Sequence, residues 1–400
     1  MSAFQREIVF GTGFGDEGKG ITTDYFANKY VKLGLDPIVI RFSGGQQCGH
    51  NVVLPDGRSH IFSSFGSGTL RGCRTYIAET CTIDPICIIN EANVLIEKGF
   101  KPRLIIDPYA RVTTPYEVYA NQNDAENIEN GSCGKGIWAT IKRELAGYSI
   151  WAMDFKYPTV LEAKMENLSK WYGIRLQLDR FYECCELVRN HYEIRMLSEE
   201  NDELESPIIM EGSQGLLLDQ THGFHPNTTP SNTGLDNIYA LLSKYIARNS
   251  GRDLGMIGSY DINCVTRAYQ TRHGNGFMTN LNKGNNIKDN PYEINQTNQF
   301  QGNFKRTILD LDLYNYGLQR HGINTHRNFN LFITNLDQVE DAWSFTLNGK
   351  MHHFDNENNF IIGIVEGLNM TNPGYEFGNR VFLSHSPVSD NIVSLKEWKG

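Results

Sequence analysis

The chain holds 400 residues, and 37 basic against 46 acidic side chains leave a formal net charge of -9. No global positive field is therefore available to hold a nucleic-acid backbone, and any phosphate has to be gripped locally. Apolar stretches are short and interrupted, and the opening MSAFQREIVF runs straight into a strand pattern without a charged segment followed by an apolar one, so the expectation is a cytoplasmic protein with neither membrane nor nucleic acid as partner.

In chain order, Glu7 to Phe10 form a short apolar run ended by Gly11 and Gly13, and Pro37 to Phe42 form a second one before Gly44 and Gly45. Both read as buried strands. Between them Ile21, Tyr25, Phe26 and Tyr30 recur at helical spacing, which makes a βαβ unit and predicts a parallel sheet. Val52 to Phe62 reads as a hairpin turning at Asp56-Gly57, and Ala342 to Phe354 as another turning at Asn348-Gly349. Leu176 to Met196 is helical by spacing, with Leu178, Phe181, Cys185 and Val188 on one face. The eight cysteines show no CxxC pair or zinc spacing, and Cys184-Cys185 falls in this helix, so all are expected as reduced thiols. Pro207 to Met210, Asn330 to Thr334 and Arg380 to Leu383 read as further central strands. Residues Asn280 to Asn303 are Asn-rich without a hydrophobic period and read as a long loop. These elements predict an α/β fold with a mostly parallel P-loop-type sheet flanked by helices, and the length allows one large domain with insertions or two of ordinary size. In such sheets the ligand lies beyond the C-terminal strand ends, where the polar clusters should converge.

The strongest local signal is Gly13-Phe14-Gly15-Asp16-Glu17-Gly18-Lys19, which has P-loop spacing between a strand and a helix. Backbone N–H groups and the helix N-terminus would cradle phosphate oxygens there, with Lys19 as a point charge. Gly20 stands where a standard P-loop carries the Ser or Thr that holds magnesium. Asp16, a carboxylate inside the loop, is the replacement expected for a hard cation. The second cluster, Arg41 to Asn51, carries glycines for close approach to a ligand and His50 as a general acid near the phosphates.

These two blocks, Gly-Asp-Glu-Gly-Lys-Gly at 15 to 20 and Gly-Gly-x-x-x-Gly-His ending at His50, resemble the adenylosuccinate synthetase family. So do Glu211 to Asp219 continuing through His222-Gly223 to Thr229 and Ser231-Asn232-Thr233, and the later Thr334 to Asp337 and Ser384 to Pro387. The resemblance implies one domain over 1–400 with insertions at about 75–130 and 145–205, where it is weak, and a ligase that joins L-aspartate to the 6-position of a purine nucleotide at the expense of a nucleoside triphosphate, with Mg2+. It implies Asp16 as the base for the purine N1 proton and a metal ligand together with Gly49, His50 as the acid, Lys19 against the developing charge and Gln214 at the phosphorylated 6-position. It further implies a triphosphate site of Gly15, Glu17, Gly18, Lys19, Gly20, Ile21, Gly49, His50, Asn51, Asn335, Leu336, Asp337, Ser384, His385, Ser386 and Pro387. For the purine monophosphate it implies Asp16, Gln47, Ser132, Cys133, Gln214 and Thr229. Cys133 departs from the family's threonine. Family members act as homodimers, and the arginine they lend to a neighbour has no clear match after Lys142-Arg143.

Where the family has a Thr-Thr-Gly and a run of arginines for aspartate and the ribose hydroxyl, this chain reads Asn298 to Arg306, so that Gln301, Gly302, Asn303, Lys305 and Arg306 are the expected aspartate contacts. That segment is more similar to the bacteriophage branch that builds 2-amino-2′-deoxyadenylosuccinate from dGMP, because loss of an arginine at the ribose edge removes a reason to demand a 2′-hydroxyl. Asn335 and Ser386, in place of the family's lysine and glycine, point to ATP or dATP as phosphoryl donor, with GTP still permitted by Asp337. IMP with GTP is the alternative within the family. A P-loop protein using bound nucleotide as a switch, and a P-loop kinase or ligase that needs no aspartate, are the readings outside it.

Overall fold

The structure is a computed structural model that describes residues 6–124, 133–197, 206–248, 259–283, 287–288, 293, 303–323, 326, 329–340, 343–368 and 379–399. Its spine is a ten-stranded sheet made, in chain order, of β1 (Arg6–Gly11), β2 (Ile38–Arg41), β3 (Arg74–Ile77), β4 (Arg103–Ile106), β5 (Glu193–Ile194), β6 (Ile208–Gly215), β7 (Asp261–Arg267), β8 (Phe329–Thr334), β9 (Val381–Leu383) and β10 (Val393–Ser394). Across the sheet they run β10-β9-β8-β7-β1-β6-β2-β3-β4-β5. Every neighbouring pair is parallel except β9 with β10. Both faces of a parallel sheet are covered, which is why its strands read as unbroken apolar runs.

The pleat sends successive side chains to opposite faces. Val9, Val39, Ile209 and Phe332 meet helix α1 (Lys19–Lys32) through Phe26 and Tyr30, whereas Ile8, Phe10, Ile40, Met210 and Ile262 build the larger core on the other face. That core is closed by Ile238 and Leu241 of the helix Asp236–Arg248 and by Tyr314 and Leu318 of the helix Leu311–Arg320. Each such fully buried Ile or Phe contributes about 1.5–3 kcal/mol. A second core lies over β3 and β4, between the helices Pro85–Glu97 and Asp179–His191.

The five expected strands all form, but β6 runs on through Glu211 to Gly215, so the Glu-Gly-Ser-Gln-Gly block is strand rather than loop. β1 and β2 are not neighbours, because β6 lies between them. The helix expected over Leu176 to Met196 spans Asp179–His191 only. Its end is forced by pairing, since Glu193 and Ile194 join Ile105 and Ile106 as the edge strand β5. Stretches within 75–130 and 145–205 supply β3, β4 and β5 and so widen the central sheet. The hairpin at Asp56-Gly57 joins His50–Val53 to Ser59–Phe62, and that at Asn348-Gly349 joins Trp343–Leu347 to Lys350–Phe354. In the latter both turn residues take positive φ, as a tight primed turn requires. Ala342 and most of the expected 280–303 loop lie outside the described residues. Among the described residues no helix is long and apolar enough to cross a membrane.

Candidate active site

The C-terminal ends of β1, β2, β6, β7, β8 and β9 open into one cleft of about 1150 Å³. Strand order reverses at β1, the place where open parallel sheets bind ligands. From β1 the chain passes through the glycine loop into α1, whose N-cap is Gly18 at φ 100°. A Cβ there would stand 2.8 Å from Thr334 Cγ2, so a glycine is required both by conformation and by space. The loop wraps around Glu17, which is 1% exposed and accepts from the backbone N–H of Gly13 at 2.6 Å, that of Gly15 at 3.3 Å and the Thr12 hydroxyl at 3.3 Å. Burial, opposed by Lys19 and these donors, pushes the Glu17 carboxyl up to about 7. Glu17, expected at the triphosphate, thus also serves as an inner strut of the loop. Burial lowers the Lys19 ammonium from its ordinary value, while Glu17 and Asp16 hold it up.

Asp16 sits at φ 58°, Gln214 at φ 53° and Asn335 at φ 58°. These are three of the five non-glycine residues in the left-handed region among those described, and all three line the cleft. Clustering of costly backbone conformations is a mark of a functional site. The Asp16 carboxylate accepts no hydrogen bond from any described residue, and its backbone carbonyl accepts from Arg267 Nε. His50 lines the cleft; its Nδ1 lies 2.6 Å from Glu211 Oε1, and its buried Nε2 has no partner among the described residues. Glu211 is fully buried and also accepts from the Ser67 N–H at 3.1 Å and the Ser67 hydroxyl, with Arg41 Nε at 3.9 Å. Burial works against its charge, but His50, Arg41 and Ser67 outweigh it and hold the carboxyl down at about 2. Burial in turn lowers the His50 imidazole, against the pull of Glu211.

Further buried polar atoms without partners among the described residues point to where a ligand's groups belong. Both amide atoms of Gln47 and Oε1 of Gln214 are of this kind, and both residues line the cleft. Cys133, Thr229, Gly15, Gly18, Gly20, Ile21, Gly49, Asn51, Asp337, Ser384, Ser386 and Pro387 also line it. Leu336 does not, being 1% exposed in the core, and His385 is turned away to Glu357 Oε1 at 2.5 Å and stacks on Trp398. Lys305 and Arg306 lie outside the lining: their strand Phe304–Thr307 pairs with Gln270–His273, Lys305 Nζ reaching Gly276 O at 2.8 Å and Arg306 Nη1 reaching Lys288 O at 3.2 Å. Asn303 also lies outside the lining. Ser132, Gln301 and Gly302 fall outside the described residues.

Arg267, Arg272, Glu293 and Gln338 line the cleft without having been singled out in the sequence. Arg272 lies over the Phe14 ring at 4.1 Å and donates to Phe277 O at 2.6 Å and Asn227 O at 2.9 Å. The glycine-punctuated run Thr271 to Gly276 was a usable signal for it, since it repeats the strand-then-glycine pattern of the first two clusters. Arg143 is fully buried, paired with Glu117 at 3.2 Å and donating to the carbonyls of Tyr148 and Val112. It is committed inside its own chain.

A family model described as adenylosuccinate synthetase matches residues 8–375. The chain belongs to the adenylosuccinate synthetase family. It is 28% identical to the adenylosuccinate synthetase of Pelodictyon phaeoclathratiforme, over 98% of this chain and 92% of that protein. To that of Chlorobium limicola it is 30% identical, over 86% of this chain and 81% of that protein. Among solved structures it resembles fully ligated adenylosuccinate synthetase from Plasmodium falciparum, with a TM-score of 0.73, 16% identity and coverage of 98% and 99%. It also resembles the succinoaminodeoxyadenylate synthetase of cyanophage S-2L bound to dGMP and dATP, with a TM-score of 0.60, 14% identity and coverage of 98% and 95%. The protein is therefore a C–N ligase of adenylosuccinate synthetase type, acting on small molecules and consuming a nucleoside triphosphate.

Magnesium, which the family uses, fits the donors present. Among the described residues no group of three or more His, Cys, Asp or Glu side chains could hold a metal, whereas Asp16 offers a carboxylate that accepts from no described donor, in the same cleft that Gly49 lines. One or two protein oxygens supplemented by phosphates and water is the coordination that magnesium favours.

Proposed function

We propose that this enzyme joins L-aspartate to the 6-position of dGMP, with ATP or dATP as phosphoryl donor, to give N6-succino-2-amino-2′-deoxyadenylate. The observation that carries the ligase chemistry is the convergence of Asp16, Lys19, His50 with Glu211, and Gln214 on one cleft whose volume is ample for two nucleotides. Asp16 takes the N1 proton, which makes the 6-oxygen nucleophilic toward the γ-phosphorus. The O–P bond forms as the β–γ bridge breaks, and the diphosphate leaves. His50 Nε2 donates a proton to the leaving diphosphate, with Glu211 holding the imidazolium, and Lys19 offsets the charge on the phosphates. Gln214 hydrogen-bonds the 6-phosphoryl group until the aspartate amine displaces it as inorganic phosphate. Bound magnesium, held by Asp16 and the Gly49 carbonyl, would supply further charge neutralisation at the phosphates.

The dGMP choice rests on Asn298 to Arg306 standing in place of an arginine run, and the absence of Lys305 and Arg306 from the cleft lining supports it, although Lys305 reaches the carbonyl of Gly276 at its rim. Removal of a polar partner of the ribose 2′-hydroxyl removes the penalty on a deoxy sugar. Asn335 and Ser386 support adenine in the donor site. IMP with GTP is the second reading, favoured by the names of the curated relatives. A homodimer is proposed with each purine site closed without a lent Arg143, and light scattering checks the assembly. The deciding measurement is product mass after incubation with aspartate, magnesium, ATP and equal amounts of dGMP, GMP and IMP. A succinylated product made chiefly from IMP overturns the dGMP assignment and leaves the chemistry standing.

A further inference from the structure

At the nucleobase end of the cleft lies a hydrogen-bond chain whose direction is fixed by chemistry. Arg267, at 6% exposure, sends Nη1 to Tyr269 Oη at 2.7 Å and to Glu293 Oε2 at 2.6 Å. A guanidinium can only donate, so the tyrosine oxygen accepts from it and the tyrosine O–H is left to donate. That O–H meets Gln338 Oε1 at 2.5 Å, and both residues are buried. With Oε1 committed to Tyr269, the remaining polar group of the Gln338 amide is its NH2, which has no partner among the described residues. Gln338 lines the cleft beside Asn335, Asp337 and Ser386. The same guanidinium donates Nε to the carbonyl of Asp16, the residue held at φ 58°.

We propose that Gln338 is a specificity-determining residue of the triphosphate site, donating its amide N–H to an acceptor atom of the purine base. Tyr269 and Arg267 are positioning residues that fix this polarity. Without the tyrosine hydroxyl the Gln338 amide can turn over and present its oxygen instead. Asp337 beside it only accepts when ionised, so the pair offers one donor and one acceptor to the base edge. Both adenine, with N1 and the 6-amino group, and guanine, with O6 and N1–H, present such an edge. This inference rests on reading residues 334–338 and 384–387 as the nucleobase site.

The test is calorimetric binding of non-hydrolysable ATP and GTP analogues to the full chain, which needs no turnover and no acceptor nucleotide, combined with steady-state kinetics. Gln338→Leu is expected to weaken binding of the preferred analogue at least tenfold and to raise its KM in step, with kcat within twofold of the parent. Gln338→Glu, which presents oxygens only, should bind more weakly still. Tyr269→Phe should lose about three- to fivefold. An analogue series with single ring nitrogens replaced by carbon, or with the guanine 6-oxygen removed, identifies the acceptor, because the one that lacks it binds parent and Gln338→Leu alike. Binding by folded Gln338→Leu within twofold of the parent for both bases, or a fall in kcat at constant KM, overturns the proposal. Tyr269→Phe and the analogue series on the parent keep the test valid if Gln338→Leu does not fold. Failure to ligate dGMP would leave these binding results untouched.

Discussion

Glu211→Gln is the substitution that most directly tests how the site is built. Glu211 is at 0% exposure, meets His50 Nδ1 at 2.6 Å and accepts twice from Ser67, with Arg41 at 3.9 Å. Holding its carboxyl at about 2 instead of the ordinary 4.5 corresponds to about 3 kcal/mol of folding stability. Because the folded-state value is depressed, that stability is present above pH 4.5 and is lost as pH falls through the folded value. The glutamine keeps the shape and removes the charge, so Glu211→Gln should lower stability near neutral pH by about 3 kcal/mol in a urea titration, within the range for a broken buried pair. The effect on catalysis has its own sign. Burial already lowers the His50 imidazole and Glu211 is the main force opposing it, so loss of the carboxylate lowers it further. The alkaline limb of kcat, followed as nucleoside diphosphate release across pH 5.5 to 9, should move to lower pH, and kcat near neutrality should fall by roughly 100-fold or more, the scale of a lost general acid. A folded Glu211→Gln enzyme with an unmoved alkaline limb and more than half the parent kcat would refute the assignment of His50 as acid.

Asp16→Asn should keep the fold, since asparagine tolerates φ 58° as well as aspartate does, while ligation falls below about one hundredth of the parent rate; circular dichroism melts and product chromatography check both halves. Gly18→Ala places a Cβ 2.8 Å from Thr334 Cγ2 at φ 100° and should cost roughly 2 kcal/mol and raise KM for the triphosphate, read from melts and initial rates. Burial raises the Glu7 carboxyl to about 7, so the folded state holds its proton more tightly than the unfolded chain does, and stability is lost as pH rises from about 4.5 through 7. Relative to Glu7→Gln, the parent should therefore lose about 3 kcal/mol between pH 4 and pH 8 in urea titrations; a constant difference would contradict it. Arg143→Met, which strands the buried Glu117 carboxylate, should cost about 3–5 kcal/mol, and a change within 1 kcal/mol would count against that pair.

The sequence by itself determined the features that live in short contiguous stretches. A strand, a glycine loop and a helix start at Lys19 specify the phosphate cradle locally, because Gly18 at a left-handed N-cap and N–H groups at a helix start need no distant partner. The order of glycine-ended apolar runs was likewise enough for a parallel α/β sheet with a cleft at its C-terminal edge. Tertiary structure alone decided which strands are neighbours, since a strand buried on both faces carries little in its own residues to select a partner. So β6 came to lie between β1 and β2, and Glu211 came within 2.6 Å of His50 across 161 residues. Strand β7 was hidden by Asn263 within its apolar run, a polarity satisfied largely across the sheet, where Nδ2 donates to Glu7 Oε2 at 2.9 Å and Ile8 O at 3.2 Å and Oδ1 accepts from Asn330 Nδ2 at 2.9 Å. With β7 went Arg267, whose 251-residue reach to Asp16 no local pattern could announce. Leu336 and His385 show the converse: their chain neighbours line the cleft, but packing against the core and against Glu357 decided that their own side chains face elsewhere. Short-range chemistry chooses conformations, whereas the meeting of charges far apart in the chain is set by how the layers pack.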